Sequence, residues 1–189
     1  MVLKETFSYY VNNNTAIFCT FLDASKAFDR VNYVKLFKLL VQRGLPACII
    51  RVLINMYLGQ SIRVSWAGVV SSFFDVSNGV KQGGVSSPIY FCIYIDGLLS
   101  RLAKSGVGCH IGLMFVGAIA YADDIVLTAP TPSAMRKLLA ICDEFAAESD
   151  ILFNAQKSKF LVVVPSKWRM LVDYFKQCAF LLMVSKLKM

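Results

Sequence analysis

Only 12 of the 189 residues are acidic, and three of them border short apolar runs of strand character. Asp23 follows AIFCTFL (Ala16 to Leu22), while Asp123 and Asp124 stand between Ala120-Tyr121-Ala122 and Ile125-Val126-Leu127. Carboxylates beside buried strands are costly unless something compensates their charge. Adjacent residues of a regular strand point to opposite faces, so Asp123 and Asp124 can serve one site only from a tight hairpin turn. Three carboxylates converging there would offer the hard oxygen ligands that Mg²⁺ takes, with phosphates and water completing its shell. Read alone, Asp-Asp is equally a turn former.

The remaining composition allows a folded core around such a site. Hydrophobic residues make up 57%, charged residues 17%, and the mean hydropathy is +0.57, far from a disordered chain. A chain of 189 residues is expected to form one domain. Twenty Lys and Arg give a net charge of +8 and a pI near 9.2, which favours a polyanionic partner. The six cysteines include no C-x-x-C pair, and His110 is the single histidine, which argues against zinc clusters and makes His110 a structural residue. MVLKETFSYYVNNN lacks the apolar stretch of a secretory signal, so an intracellular location, nuclear or cytoplasmic, with buried free thiols is expected. The sequon at Asn13 is discounted on the same ground. Ser105 to Ala122 is uncharged, but its four glycines and His110 argue for two short buried strands rather than a membrane span.

Strand and helix signals alternate along the chain. A helix follows Asp29, with Val34, Phe37, Leu40 and Val41 on one face and Gly44 as its stop. Another runs from Pro46 to Gly59, carrying Ile49, Ile50, Leu53, Ile54 and Tyr57. Ser61 to Trp66 and Phe73 to Val76 suggest a solvent-edged hairpin. Ser87-Pro88 opens a helix apolar nearly all round, and Thr131-Pro132 opens one with Met135, Leu138, Leu139, Cys142, Phe145 and Ala146 on one face. Phe160 to Val164 predicts a last strand, and Lys167 to Met189 a basic amphipathic helix. Between the hairpin and the helix at Ser87 lies the loop Asn78 to Gly84 (NGVKQGG), whose glycines allow close backbone approach to a ligand. It matches neither a Walker loop nor a dinucleotide fingerprint.

Four segments in this order, FLDASKAFD (Phe21 to Asp29), NGVKQGGVSSP (Asn78 to Pro88), YADD (Tyr121 to Asp124) and FNAQKSK (Phe153 to Lys159), closely resemble the successive palm motifs of reverse transcriptases, particularly those of non-LTR retrotransposons. The resemblance covers about Leu3 to Val164. It implies an α+β polymerase palm, a small mainly antiparallel sheet backed by helices, spanning residues 1–164 and followed by a non-matching basic tail at 165–189. It further implies an RNA-directed DNA polymerase domain that joins dNTPs to a primer 3′-hydroxyl. Asp23, Asp123 and Asp124 resemble the catalytic aspartates that hold two Mg²⁺ ions, with Mn²⁺ as a substitute. Phe28 matches the bulky gate that would collide with a ribose 2′-hydroxyl. Gln82, Gly83 and Gly84 would lie by the incoming nucleotide, Tyr121 by the primer end, and Lys157 near the phosphates unless it is simply a solvated strand-flank lysine. Asp29 is expected to cap or brace the next helix. Arg30, Lys35, Lys38, Arg43 and Arg51 read either as a solvated helix face or as contacts to a template-primer duplex.

The implied partners are an RNA template, a DNA primer and dNTPs, with no membrane and no dedicated protein partner. The motif positions imply a truncated domain with fingers largely missing and the thumb absent or a stub. Ser86, Gly97 and Asp150 depart from the family pattern, Asp150 standing where glycine is usual before F-N. Those departures leave a second expectation open, a catalytically inactive palm that at most binds nucleic acid.

Overall fold

In the computed structural model, which describes residues 1–171, the elements follow in the order α1 (Val2–Asn12), β1 (Ile17–Asp23), a 3-10 turn (Phe28–Arg30), α2 (Tyr33–Gln42), α3 (Ala47–Tyr57), β2 (Gln60–Ile62), β3 (Ser65–Trp66), β4 (Val69–Val70), β5 (Phe74–Val76), α4 (Ser87–Lys104), β6 (His110–Ile111), β7 (Met114–Phe115), β8 (Ala118–Tyr121), β9 (Asp124–Ala129), α5 (Pro132–Ser149), β10 (Lys159–Val163) and a closing 3-10 turn (Ser166–Leu171). The helix expected over the tail lies outside the described residues beyond that turn. Two units emerge, one of Met1–Ser25 with the chain from Asp96 onward and one of Lys26–Ile95.

The first unit is built on an antiparallel sheet in the order β10-β1-β9-β8. Strand alternation sorts its side chains. Phe18, Thr20 and Leu22 of β1 share one face with Ile125, Leu127 and Ala129 of β9, all of them buried. Helix α5 packs on that face, and Thr20 Oγ1 donates to Met135 Sδ at 3.3 Å. Thr131 starts α5 by accepting from the Ala134 N–H at 3.2 Å, with Pro132 in the first turn, and the buried stripe Met135, Leu138, Leu139, Cys142, Phe145 and Ser149 follows helical spacing. Ser149 takes the place expected of Ala146. The helix ends at Asp150 in the left-handed region, φ 55°, which explains why glycine suits that position.

The opposite face carries Ile17, Cys19, Phe21 and Asp23. Its Ile17 end is covered: Phe7 and Tyr10 of α1 and Ile111 pack on the cluster Ile17, Cys109 and Val116. The Tyr10 hydroxyl accepts from the His110 N–H at 2.8 Å and donates to the His110 carbonyl at 3.0 Å. Helix α1 has no counterpart among the sequence expectations, because Thr6 alone of its residues is buried. The Ser105 to Ala122 segment forms three short strands rather than two, half-buried rather than buried.

In the second unit α2 and α3 pack through Tyr33, Phe37 and Tyr57, whose ring centroids lie 5.3 to 6.4 Å apart. The helices stand where expected, but their buried stripes are Tyr33, Leu36, Phe37 and Leu40, and Ile50, Leu53 and Tyr57. Val34 is 77% exposed and Val41 58%, so both leave the predicted face. Asn32, not Asp29, caps α2, its Oδ1 accepting from the Lys35 N–H at 3.2 Å. The predicted hairpin is β2 paired with β5, and it encloses a further ribbon of β3 and β4. Helix α4 begins here at Ser87, with Phe91, Tyr94 and Ile95 buried and Ile89 and Cys92 exposed, and continues past Ile95 into the first unit, where Leu98 and Leu102 are buried. Its burial is therefore one-sided. Among the described residues, no helix is long and apolar enough to cross a membrane.

The described cysteines are all free, with Cys19, Cys109 and Cys142 buried and Cys48 and Cys92 exposed, which corrects the expectation of uniformly buried thiols. Burial pushes the Cys19 thiol from near 9.0 up to about 12, and it pushes Cys109 and Cys142 upward as well. These thiols stay protonated in the fold but ionise in the unfolded chain once pH passes about 9. Stability is then complete below that pH and declines as pH rises toward the folded value, by about 1.4 kcal/mol per pH unit for each thiol in its window. Thermal melts under reducing conditions should show Tm falling above about pH 9. A Tm independent of pH through that range would contradict this account.

Candidate active site

The β8–β9 hairpin turns through two residues, Ala122 and Asp123, with Ala122 at φ +52°. A non-glycine residue in the left-handed region stores strain, which proteins concentrate at functional sites. This tight turn puts Asp124 at the first position of β9, opposite Tyr121 on β8 and opposite Asp23 on β1. Directly opposed residues of antiparallel strands project to one face with Cβ atoms roughly 4.5–5.5 Å apart. Asp23 and Asp124 thus share the face that α1 covers at its far end, and Asp123 lies one residue out in the turn. Exposure rises toward this end of the face: Asp23 is half-buried, Asp124 and Lys159 are exposed, and Tyr121 is 85% exposed.

The FNAQKSK segment closes against β1 beside Asp23. The Asp23 carbonyl accepts from the Asn154 N–H at 2.8 Å, and the Asp23 N–H donates to Ser158 Oγ at 3.3 Å. Lys157 is exposed in the same turn, where its N–H donates to Asn154 Oδ1 at 3.2 Å. Neither Asn154 nor Ser158 stands among the residues read from sequence as site residues, since both act through the backbone of another residue. Their only signal is the N-x-x-x-S spacing that lets an Asn-initiated turn return a hydroxyl to its own start.

Phe28, Gln82, Gly83 and Gly84 belong to the second unit. Phe28 is half-buried and its ring stacks on buried Phe91 at 5.1 Å and 23°. The glycine-rich loop is pinned to the turn that carries Phe28: the Gly79 N–H donates to the Val31 carbonyl at 2.9 Å and the Val80 N–H to the Phe28 carbonyl at 2.8 Å. Asp29 Oδ1 accepts from Gln82 Nε2 at 3.1 Å. Asp29 therefore braces this loop, not the helix it was expected to cap. Gln82 and Gly83 are exposed, Gly84 is half-buried, and Gly83 has φ +79°.

Among the described residues, no group of three or more His, Cys, Asp or Glu is arranged to hold a metal ion. The donors present are nonetheless all carboxylate oxygens, and two of them are aligned across neighbouring strands. That set fits Mg²⁺, which binds through one or two carboxylates and keeps waters or substrate phosphates in its other positions. Asp23 and Asp124 are the residues that would hold it, with Asp123 within one residue.

A family profile described as Reverse transcriptase (RNA-dependent DNA polymerase) matches residues 3–181. The chain is 35% identical over 136 residues to the retrovirus-related Pol polyprotein from the type-2 retrotransposable element R2DM of Drosophila melanogaster, covering 72% of this chain and 13% of that protein. It is 27% identical over 150 residues to the Pol polyprotein from a type-1 element R2 of Nasonia vitripennis, covering 79% of this chain and 14% of that one. The chain thus spans about an eighth to a seventh of the length of these relatives. Among solved structures, apo telomerase of Candida tropicalis, truncated from its C-terminal domain, superposes with a TM-score of 0.66 at 15% identity, over 86% of this chain and 34% of that one. Telomerase of Candida albicans, in complex with a fragment of telomeric RNA, gives a TM-score of 0.64 at 14% identity over 84% of this chain and 30% of that one. At such identities the superpositions speak to the fold, which is the α+β palm expected from the motifs. With the profile extending over residues 3–181, the chain belongs to the reverse transcriptase family.

Proposed function

We propose that this chain is the palm of an RNA-directed DNA polymerase of a non-LTR retroelement, acting inside the cell, nuclear or cytoplasmic, on an RNA template and a DNA primer. The observation that carries the reading is the alignment of Asp23 with Asp124 at the exposed end of the sheet, beside a strained turn holding Asp123. Bound Mg²⁺, or Mn²⁺ in its place, would lower the pKa of the primer 3′-hydroxyl and neutralise the leaving pyrophosphate. Asp23, Asp123 and Asp124 supply the negative charge that gathers the ions. Tyr121, exposed beside Asp124, offers a ring on which the primer end stacks, and Lys157 offers a cation to the phosphates. Gln82, Gly83 and Gly84 present backbone and amide groups to the incoming nucleotide, and the net charge of +8 favours the polyanionic duplex.

Phe28 is the selectivity residue in this reading. Its ring stacks on buried Phe91, a contact that braces it against displacement by a hydroxyl. Primer extension on a primed RNA template with Mg²⁺ is expected with dNTPs and not with rNTPs. Phe28→Val should lower the preference for dNTPs by about tenfold or more, the scale of discrimination a single pocket contact provides. Absence of extension from folded, soluble chain would favour the second reading, a palm that binds nucleic acid without catalysis. The observation on its side is that, among the described residues, no three His, Cys, Asp or Glu side chains are grouped to hold a metal ion.

A further inference from the structure

Strand β1 loses its partner on one side just before Asp23. Its ladder with β10 ends at the pair Phe21 and Lys159, two residues short of the carboxylate. A turn takes over from the strand: the Ser25 N–H donates to the Leu152 carbonyl at 2.8 Å, Ala24 bridges Phe153, and the Asn154 N–H donates to the Asp23 carbonyl at 2.8 Å. The remaining group, the Asp23 N–H, donates to Ser158 Oγ at 3.3 Å, and the same hydroxyl donates to the Asn154 carbonyl at 2.7 Å. Ser158 is 6% exposed, so neither of these bonds is readily replaced by water. The turn is closed by Asn154 Oδ1, which accepts from the N–H groups of Gln156 at 3.0 Å and Lys157 at 3.2 Å.

Two like charges directly opposite each other across a strand pair push the strands apart. On the β9 side Asp23 faces Asp124, the residue that repels it, while its own N–H and C=O both point the other way, to Ser158 and Asn154. On the other side only this turn resists the displacement. We infer that Ser158 and Asn154 are positioning residues that fix the Asp23 backbone so that its carboxylate stays aligned with Asp124. The inference rests on the reading of Asp23 as a metal-holding carboxylate, and it adds that the alignment depends on one buried hydroxyl.

Manganese chloride titrated into the full chain, with bound ion followed by electron paramagnetic resonance, tests this without relying on turnover. Ser158→Ala should weaken Mn²⁺ binding by about tenfold, the lower end of the losses seen when a group supporting a metal ligand is removed. Ser158→Thr, which keeps the hydroxyl, should restore affinity to within about twofold of the unmodified chain. Amide exchange at Asp23 should accelerate in Ser158→Ala and not in Ser158→Thr. If Ser158→Ala does not fold, Asn154→Ala, which removes only the exposed turn bonds, should weaken Mn²⁺ severalfold, and unchanged affinity there would refute the inference. Asp23→Asn separates the two levels. If it loses Mn²⁺ while Ser158→Ala binds like the unmodified chain, positioning fails and the metal reading stands; if it binds Mn²⁺ normally, the metal reading fails and the inference goes with it.

Discussion

Asp23→Asn should lower primer extension at least about a thousandfold, a loss of roughly 4 kcal/mol of transition-state stabilisation, while leaving Tm unchanged or slightly raised. The substitution keeps the size of the side chain and both backbone bonds to Asn154 and Ser158, so the turn that closes beside β1 stays intact. What it removes is one of two carboxylates aligned across β1 and β9. Without ions at the site, that removal also relieves a like-charge pair worth a few tenths of a kcal/mol to about 1 kcal/mol. Activity and stability are therefore expected to move independently, which loss of folding could not produce. Single-turnover extension beside a thermal melt measures both, and activity within tenfold of the unmodified chain would exclude a direct role for Asp23. Asp124→Asn should behave in the same way.

The tight turn at Asp123 and Asp124 was legible because it follows from strand alternation, whereas the convergence of Asp23 on it was implied by the motif resemblance. The hairpin of β8 and β9 takes that turn, while the strand order and the register that sets Asp23 opposite Asp124 required coordinates. Helix α5 was equally readable, since Thr131-Pro132 marks its start and its apolar residues recur at helical spacing. The amphipathic faces of α2 and α4 were less so. Val34, Val41 and Ile89 are as apolar as their buried neighbours, and which of them faces a partner is decided by elements distant in sequence. Helix α1 escaped notice because its packing depends on the half-buried Phe7 and Tyr10, with Thr6 as its one buried residue.

Groups acting on the backbone were the least visible. Asp29 resembles a helix cap by position, but Asn32 lies closer to the first turn of α2 and takes that role, leaving the Asp29 carboxylate to Gln82. Ser158 has no charge and no apolar periodicity to draw attention, and its hydroxyl matters only because a strand edge ends beside it. Motif resemblance located both segments. The bonds that join them to Asp23 and Phe28 required coordinates.

Gly79→Ala should destabilise the protein by about 3 kcal/mol, lowering Tm by roughly 6–12 °C. Two costs combine. Gly79 lies at φ +92°, and an added Cβ would stand 2.8 Å from Asp29 Cα and 2.9 Å from the Asp29 carbonyl oxygen. Both obstacles are backbone, so no rotamer change relieves them, and overpacking of this kind costs about 1–3 kcal/mol beyond the roughly 1–2 kcal/mol of left-handed backbone. The same peptide supplies the N–H bonded to Val31 at 2.9 Å, one of the bonds that hold the glycine-rich loop to the turn carrying Phe28. Moving it should also loosen the 3.1 Å contact between Gln82 and Asp29, raising the KM for dNTPs in Gly79→Ala. Gly83→Ala separates the costs, because Gly83 has φ +79° but nothing within 4 Å of an added Cβ. Its expected loss is the backbone part alone, about 1–2 kcal/mol. Equal melting temperatures for the two variants would show that the loop does not seat against Asp29 as closely as these distances require.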